Sequence, residues 1–207
     1  MFGEISCIIL ITKGVECIRS MFNWQQKTRR TFLEITALKI QIPEITIDVT
    51  LMIENDLSAV LEIEQKSFSS PWSKRTFHEG ISGKYPHTYF LVCKHQGSSI
   101  AYINFMAVGG DCHITNLAVA PDFRRLGVAK YMLAKSLDRM KILGGRKVFL
   151  EVRASNIAAQ RLYRQFGFYI NNIREKYYSD NNEDAYVLWI RDIQKISLEY
   201  VRKELWG

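Results

Sequence analysis

HITNLAVAPDFRRLGVA, residues His113 to Ala129, reads as strand, tight turn and helix in succession. Alternation from His113 ends in the apolar run Leu117, Ala118, Val119, and Pro121 withholds the backbone N–H that a continuing ladder needs, so the strand is expected to stop near Ala120. Arg124, Arg125, Leu126, Gly127, Val128 and Ala129 then place two cations and a glycine at the mouth of a segment with helical periodicity. The first N–H groups of a helix have no intrahelical acceptor and carry the positive end of its dipole, so an anion satisfies both; a residue without Cβ lets that anion approach the backbone. The stretch is therefore a place to hold phosphate. Two better-known phosphate loops do not fit. The Walker pattern needs Lys and Ser or Thr after its last glycine, where this chain has Val128 and Ala129, and the dinucleotide fingerprint lacks its other glycines. An ordinary strand-helix turn with solvated arginines fits the spacing equally well.

Arg124 to Ala129 also fits Arg/Gln-x-x-Gly-x-Gly/Ala after an apolar strand, and more text of the same kind stands downstream. It comprises Leu150-Glu151-Val152-Arg153-Ala154-Ser155-Asn156, then Ala159, Leu162-Tyr163, Phe166-Gly167-Phe168, Tyr177-Tyr178 and Glu183-Asp184-Ala185. In combination these residues resemble the Gcn-five-related N-acetyltransferase (GNAT) superfamily, and within it the bacterial ribosomal-protein-alanine N-acetyltransferases of the RimI branch. The similarity runs from about Thr46 to Ile190.

The resemblance implies an α/β GNAT fold: a mixed, mostly antiparallel sheet with a central splayed parallel strand pair flanked by helices, where cofactor and acceptor meet. It assigns acetyl-CoA, as co-substrate, to Leu117, Ala118 and Val119, to the loop Arg124, Arg125, Leu126, Gly127, Val128, Ala129 and Lys130, and to Asn156. It makes Glu151 the general base and Tyr163 the general acid, and sets Trp72, Tyr177 and Tyr178 on the acceptor side. The implied acceptor is the N-terminal α-amine, that of an alanine, on a small-subunit ribosomal protein. The amine attacks the thioester directly, so neither a nucleophilic cysteine nor a metal is expected. Three residues depart from the family text: Leu126 stands in place of a polar residue, Ala129 in place of the commoner glycine, and Ser179 rather than proline after the tyrosine pair. Backbone donors do not depend on residue type, so the first two leave the cradle intact, whereas the third bears on the acceptor.

The residues alone leave plainer alternatives open. Glu151 and Arg153 share a strand face and equally make a surface ion pair. Tyr163 lies one position off the apolar stripe Ala159, Leu162, Phe166 and reads as a half-buried tyrosine; Trp72 reads as a helix-corner packer, and Tyr177 and Tyr178 as cross-strand packing. A lysine or small-amine acetyltransferase and a non-catalytic acyl-CoA-binding module would share the same cradle. A Lys acceptor, with a reference pKa near 10.4, would demand a stronger deprotonating device.

Bulk properties narrow the setting. A chain of 207 residues with 47% apolar content holds one ordinary domain with extensions. The net charge of +7 is scattered among acids rather than gathered into a basic stripe, which suits solubility and a phosphate-rich ligand and predicts neither nucleic-acid nor membrane binding. Four cysteines without a C-x-x-C pair argue against a zinc ribbon or a disulfide framework and point to the cytoplasm. Cys93, His95, Cys112 and His113 could be imagined around a metal, but a buried thiol beside partly exposed imidazoles explains them, and no metal is expected. Residues 1–43 are read as an extension of unknown role whose apolar run Ile5 to Thr12 is too short to span a bilayer; 44–192 as the GNAT domain; 193–207 as a helical tail.

Within the domain, Ile45 to Val49 is expected as a strand and Asn55-Asp56 as the N-cap of a helix through about Lys66. Ser73 should cap a second short helix containing Phe77. Tyr89 to His95, Ser99 to Val108 and Cys112 to Val119 form an antiparallel meander. The helix after Gly127, striped by Ala129, Leu133, Leu137 and Met140, ends at a left-handed Gly144. A right-handed crossover then lays Lys147 to Arg153 parallel to His113 to Val119. A helix from Asn156 to Gly167 and a hairpin turning at Ser179 to Asn182 complete the domain.

Overall fold

The computed structural model describes residues 40–42 and 45–197. Most of the expected extension and the end of the expected tail lie outside the described residues; of the tail, Ile193–Lys195 forms one 3-10 turn. Eight strands, β1 (Ile40–Ile42), β2 (Ile45–Leu51), β3 (Thr88–His95), β4 (Ser98–Val108), β5 (Asp111–Val119), β6 (Lys147–Arg153), β7 (Tyr169–Tyr178) and β8 (Glu183–Ile190), lie in the order β1-β2-β3-β4-β5-β6-β8-β7. β1 pairs antiparallel with β2, so the sheet begins a few residues before the expected domain start. The meander forms as read, because Gln96, Gly97, Gly109 and Gly110 all take positive φ, the geometry that tight hairpins require. β5 and β6 are the parallel pair, and their ladder runs only from Asp111–Lys147 to Ile114–Leu150. Beyond it the two strands separate.

Helices α1 (Leu57–Ser67) and α2 (Lys74–Ile81) cover one face, where Leu57, Val60, Ile63 and Phe77 close over Phe90, Val92, Tyr102 and Ala118. Ile103 and Phe105 alternate to the other face and are fully buried too, with α3 (Val128–Ile142) packed along β4 and β5. α4 (Ile157–Gln165) joins β6 to β7. Two helical stripes differ from the sequence reading. In α3, Leu133, Leu137 and Met140 are buried as expected, but Ala129 is only partly so and Val128 takes the inward position. In α4 the buried face is Gln160, Tyr163 and Phe166, with Ala159 and Leu162 at its margin, so Tyr163 points inward instead of lying off the stripe.

Ser73 caps α2, its Oγ accepting from the Thr76 N–H at 3.2 Å. Asp56 does not cap α1 with its side chain. A 3-10 turn, Glu54–Asp56, precedes the helix, and the carboxylate accepts from Ile53 N–H, Ser99 Oγ and Lys94 Nζ at 2.9, 2.9 and 2.7 Å, tying α1 to β3 and β4. A Cβ at Gly80 would lie 2.2 Å from the ring of Phe90, itself buried against Phe77. Gly80→Ala is therefore expected to destabilise the fold by about 1–3 kcal/mol through overpacking. A denaturant midpoint that falls at unchanged slope checks it.

One irregularity sets the faces of β5. Asn104 pairs with Asn116, yet the next residue of β4, Phe105, pairs with Ile114, so Thr115 is an extra residue in the strand. Its hydroxyl donates to the Asn104 carbonyl at 3.3 Å. Residues opposite one another share a face, so Ala118, Asn116 and His113 all stand with Tyr102, Asn104 and Met106 on the face covered by α1 and α2. A regular strand would have sent His113 and Asn116 to opposite sides.

Candidate active site

The site is built where the β5–β6 ladder ends. On β6, Val148, Leu150 and Val152 are buried while Phe149, Glu151 and Arg153 face the other way, the alternation expected of the sequence. Glu151 does not pair with Arg153. Its carboxylate lies 2.7 Å from His113 Nε2 on β5 and 3.0 Å from an Arg174 guanidinium nitrogen on β7, with 9% of its side chain exposed. Burial alone would push the Glu151 carboxyl up, but the hydrogen bond and charge of His113 and the charge of Arg174 outweigh it and hold the group below the usual carboxylate range. An ionised carboxylate only accepts, so His113 donates. The imidazole is itself stacked on Phe149, centroids 4.4 Å apart.

Arg153 turns instead to the hairpin end. It donates to Asp180 at 2.7 Å, to Glu183 at 3.1 Å, to Asn181 at 3.0 Å and to Ser69 at 3.2 Å, and its guanidinium sits 3.9 Å over the Tyr178 ring. Burial, only partly offset by Arg153, pushes the Tyr178 hydroxyl up to about 12. Tyr177 packs edge-on to Tyr178 and is 45% exposed. Tyr163, on α4, packs edge-on to Phe168, and burial, with a smaller contribution from Tyr178, raises its hydroxyl far above the ordinary tyrosine range. Tyr178 is coupled electrostatically to both Tyr163 and Glu151, so the expected acid, base and acceptor-side tyrosine share one neighbourhood. Trp72 is half-buried against Phe77, centroids 5.7 Å apart, and closes the same face from the α1–α2 loop.

On the cofactor side, β5 ends with Ala118 and Val119 buried and Leu117 partly so, and past Ile114 its edge toward β6 has no ladder. A 3-10 turn, Pro121–Phe123, leads to Arg125 at φ 66° and Gly127 at φ 83°, both left-handed, and Gly127 caps α3. The Tyr131 N–H bonds back to the Gly127 carbonyl at 2.9 Å, so the helix-mouth donors before it, through Val128 and Ala129 to Lys130, belong to the unpaired first turn. Arg124 is exposed, and it donates to the Val119 carbonyl at 3.0 Å and to Ser67 at 3.2 Å, bracing the loop. Arg125 is exposed and Leu126 partly buried beside it. Asn156 uses its side-chain oxygen to cap α4, accepting from Ala159 N–H at 3.0 Å. A substituent at Gly127 would strain the cap whatever the space around it. Gly127→Val is expected to raise the dissociation constant for acetyl-CoA about tenfold by calorimetric titration, from the ~1–2 kcal/mol that a left-handed β-branched residue costs.

Sequence reasoning weighed His113 only as a metal ligand and passed over Arg174; both reach Glu151 from other strands, at separations no local pattern encodes. Among the described residues no group of three or more His, Cys, Asp or Glu is placed to share a metal ion. Cys93 and Cys112 are buried free thiols pushed up by burial to about 12 and about 11. No helix among the described residues is long and apolar enough to cross a membrane.

A parallel pair that parts beside a helix mouth with unpaired backbone donors is the arrangement expected of an acyl-CoA-dependent transferase. The chain belongs to the acetyltransferase (GNAT) family, whose profile matches residues 57–168. It is similar to a Bacillus subtilis (strain 168) protein assigned provisionally as a ribosomal protein bS18 alanine N-acetyltransferase, 38% identical over 136 residues that cover 65% of this chain and 89% of the relative. The ribosomal protein bS18 alanine N-acetyltransferase of Escherichia coli (strain K12) is 34% identical over 135 residues, 64% of this chain and 89% of the relative. The crystal structure of the E. coli ribosomal-protein-S18-alanine N-acetyltransferase superposes with a TM-score of 0.63 at 32% identity, covering 70% of this chain and 92% of that one. This protein is thus an N-acetyltransferase of the RimI type, with the mixed α/β GNAT sheet.

Proposed function

We propose that this enzyme moves the acetyl group of acetyl-CoA to the α-amine of a protein N-terminus, alanine foremost, on a small-subunit ribosomal protein of the bS18 kind. The observation that carries the reading is Glu151, a carboxylate held ionised between His113 and Arg174 on the face where the parallel strands part. Its support in kind is the pair of relatives whose names state that acceptor. An α-ammonium with a reference pKa of about 8 is already partly neutral near pH 7.5, so a weak carboxylate base, acting directly or through water, meets the need; a Lys acceptor would ask far more of it. Glu151 takes the proton and His113 keeps the carboxylate aimed. Backbone donors on the unladdered edge of β5 near Val119 favour the charge that gathers on the thioester oxygen. Tyr163, protonated throughout the working range, returns a proton to the leaving sulfur. The loop from Arg124 to Lys130 holds the diphosphate, and acetyl-CoA supplies the acyl group as co-substrate. Trp72, Tyr177 and Tyr178 flank the acceptor. A cytoplasmic, metal-free enzyme without nucleic-acid or membrane contacts is part of this reading.

Intact-mass spectrometry tests it. The protein is incubated with acetyl-CoA and peptides bearing alanine N-termini, including that of bS18, beside a Lys-rich peptide with a blocked terminus. A single acetyl on the alanine α-amine is expected. Acetyl on Lys alone would discard the acceptor while keeping the family, and binding of CoA with no transfer would discard the catalysis.

A further inference from the structure

Glu64 stands apart from everything assigned so far. It is on α1, wholly buried, among elements that offer it little charge compensation. One carboxylate oxygen accepts from the Trp72 backbone N–H at 2.8 Å, and the other is buried without a hydrogen-bond partner. The Asn116 side chain on β5 favours the charged form of the same carboxylate, and Asn104, which pairs with Asn116 across the ladder, has both side-chain polar atoms buried without partners. Burial pushes the Glu64 carboxyl up to about 7 against the pull of the Trp72 bond and of Asn116. Polar atoms of both groups are buried and unsatisfied, so an apolar pair would serve stability better at this position.

Its position explains what it does. Asn116 stands on the face of β5 that also carries His113, the partner of Glu151, because of the extra residue at Thr115. Trp72 ends the loop 68–73, whose other end is tied at Ser69 to Asp180 and Arg153 beside the tyrosine pair. We propose that Glu64 is a positioning residue for the acceptor: by gripping the Trp72 N–H beside Asn116, it holds the 68–73 loop against the half of β5 that has no ladder to β6 and so sets the acceptor's path to Glu151. This rests on the acceptor reading given above.

The test uses the full chain as wild type, Glu64→Ala and Glu64→Gln, with two readouts. Hydrogen exchange at the Trp72 amide, referenced to amides of β4, reads the grip without any turnover. Steady-state kinetics on an alanine peptide, with calorimetric acetyl-CoA binding, read its use. Loss of a buried bond to a charged group is expected to speed Trp72 exchange by about tenfold or more in the Ala variant and raise its acceptor KM by about tenfold, with kcat and acetyl-CoA affinity held within about twofold. The Gln variant, which keeps an oxygen for Trp72, should restore both to within about threefold of wild type. Should Glu64→Ala fail to fold, Asn116→Ala takes its place, expected to raise acceptor KM alone. Unchanged exchange together with unchanged KM, or a kcat loss that Gln does not rescue, overturns the proposal. If the wild type acetylates no N-terminus, the acceptor reading fails while the exchange arm still decides the grip: protection lost in Ala and kept in Gln supports it, and protection unchanged in Ala sinks it.

Discussion

Glu151→Gln is expected to lower kcat/KM for an alanine N-terminus by about 10²–10³-fold near neutral pH, the usual worth of a positioned base, with a deficit that shrinks as pH rises toward 9. The sign follows from the amine. Above its reference pKa of about 8 the acceptor is neutral without help, so the base matters least there and most near pH 6. Glu151 itself does not set the acidic limb of the wild-type profile. Held below the ordinary carboxylate range, it stays ionised across mildly acidic pH, and that limb belongs to the acceptor amine. The depressed pKa also means that the folded state gains from the charge above the unfolded-state value and loses that gain as pH falls through the folded one. A pH–rate profile from pH 6 to 9 checks the prediction. A deficit constant across pH would leave Glu151 an orienting role and remove it as base.

The second large effect is expected at the proposed acid. Tyr163→Phe removes one oxygen and leaves the ring that packs on Phe168, so the fold and acetyl-CoA affinity are expected to hold while kcat drops by about 100-fold. Because burial lifts its hydroxyl far above the ordinary range, Tyr163 remains a proton donor throughout neutral and moderately basic pH, and it contributes no basic limb below pH 10. Single-turnover rates beside a thermal melt separate chemistry from stability. Wild-type turnover in the Phe variant would return Tyr163 to a core role.

The cradle was legible in sequence because its signals are local. Pro121 stops a strand, Gly127 permits a left-handed cap, and helical periodicity resumes within a few residues. Period-two alternation likewise placed Glu151 and Arg153 together on the outward face of β6. The partners were not legible. Arg153, one pleat nearer the hairpin, finds Asp180 and Glu183, and Glu151 finds His113 and Arg174 from strands 38 and 23 residues away, so topology and register replaced the Glu151–Arg153 pair that shared-face alternation allowed. Helix stripes failed by one position in α4 because Tyr163 and Gln160 look amphipathic in text and are inward in fact. Glu64 falls inside the helix expected through about Lys66, and only the packed structure shows that its carboxylate is shut off from solvent.

The extra residue in β5 gives position 115 an unusual kind of constraint. Its side chain is asked for little, one hydroxyl reaching a neighbouring carbonyl, so exchange of residue type is tolerable. Its presence works the same way, because the ladder already steps from Asn116 to Ile114: without the extra residue His113 and Asn116 would stand two positions apart on one face, and His113 would still turn toward Glu151. The contact at risk is lost by straightening rather than by shortening, since a ladder that paired position 115 in register would carry His113 to the far side of the sheet.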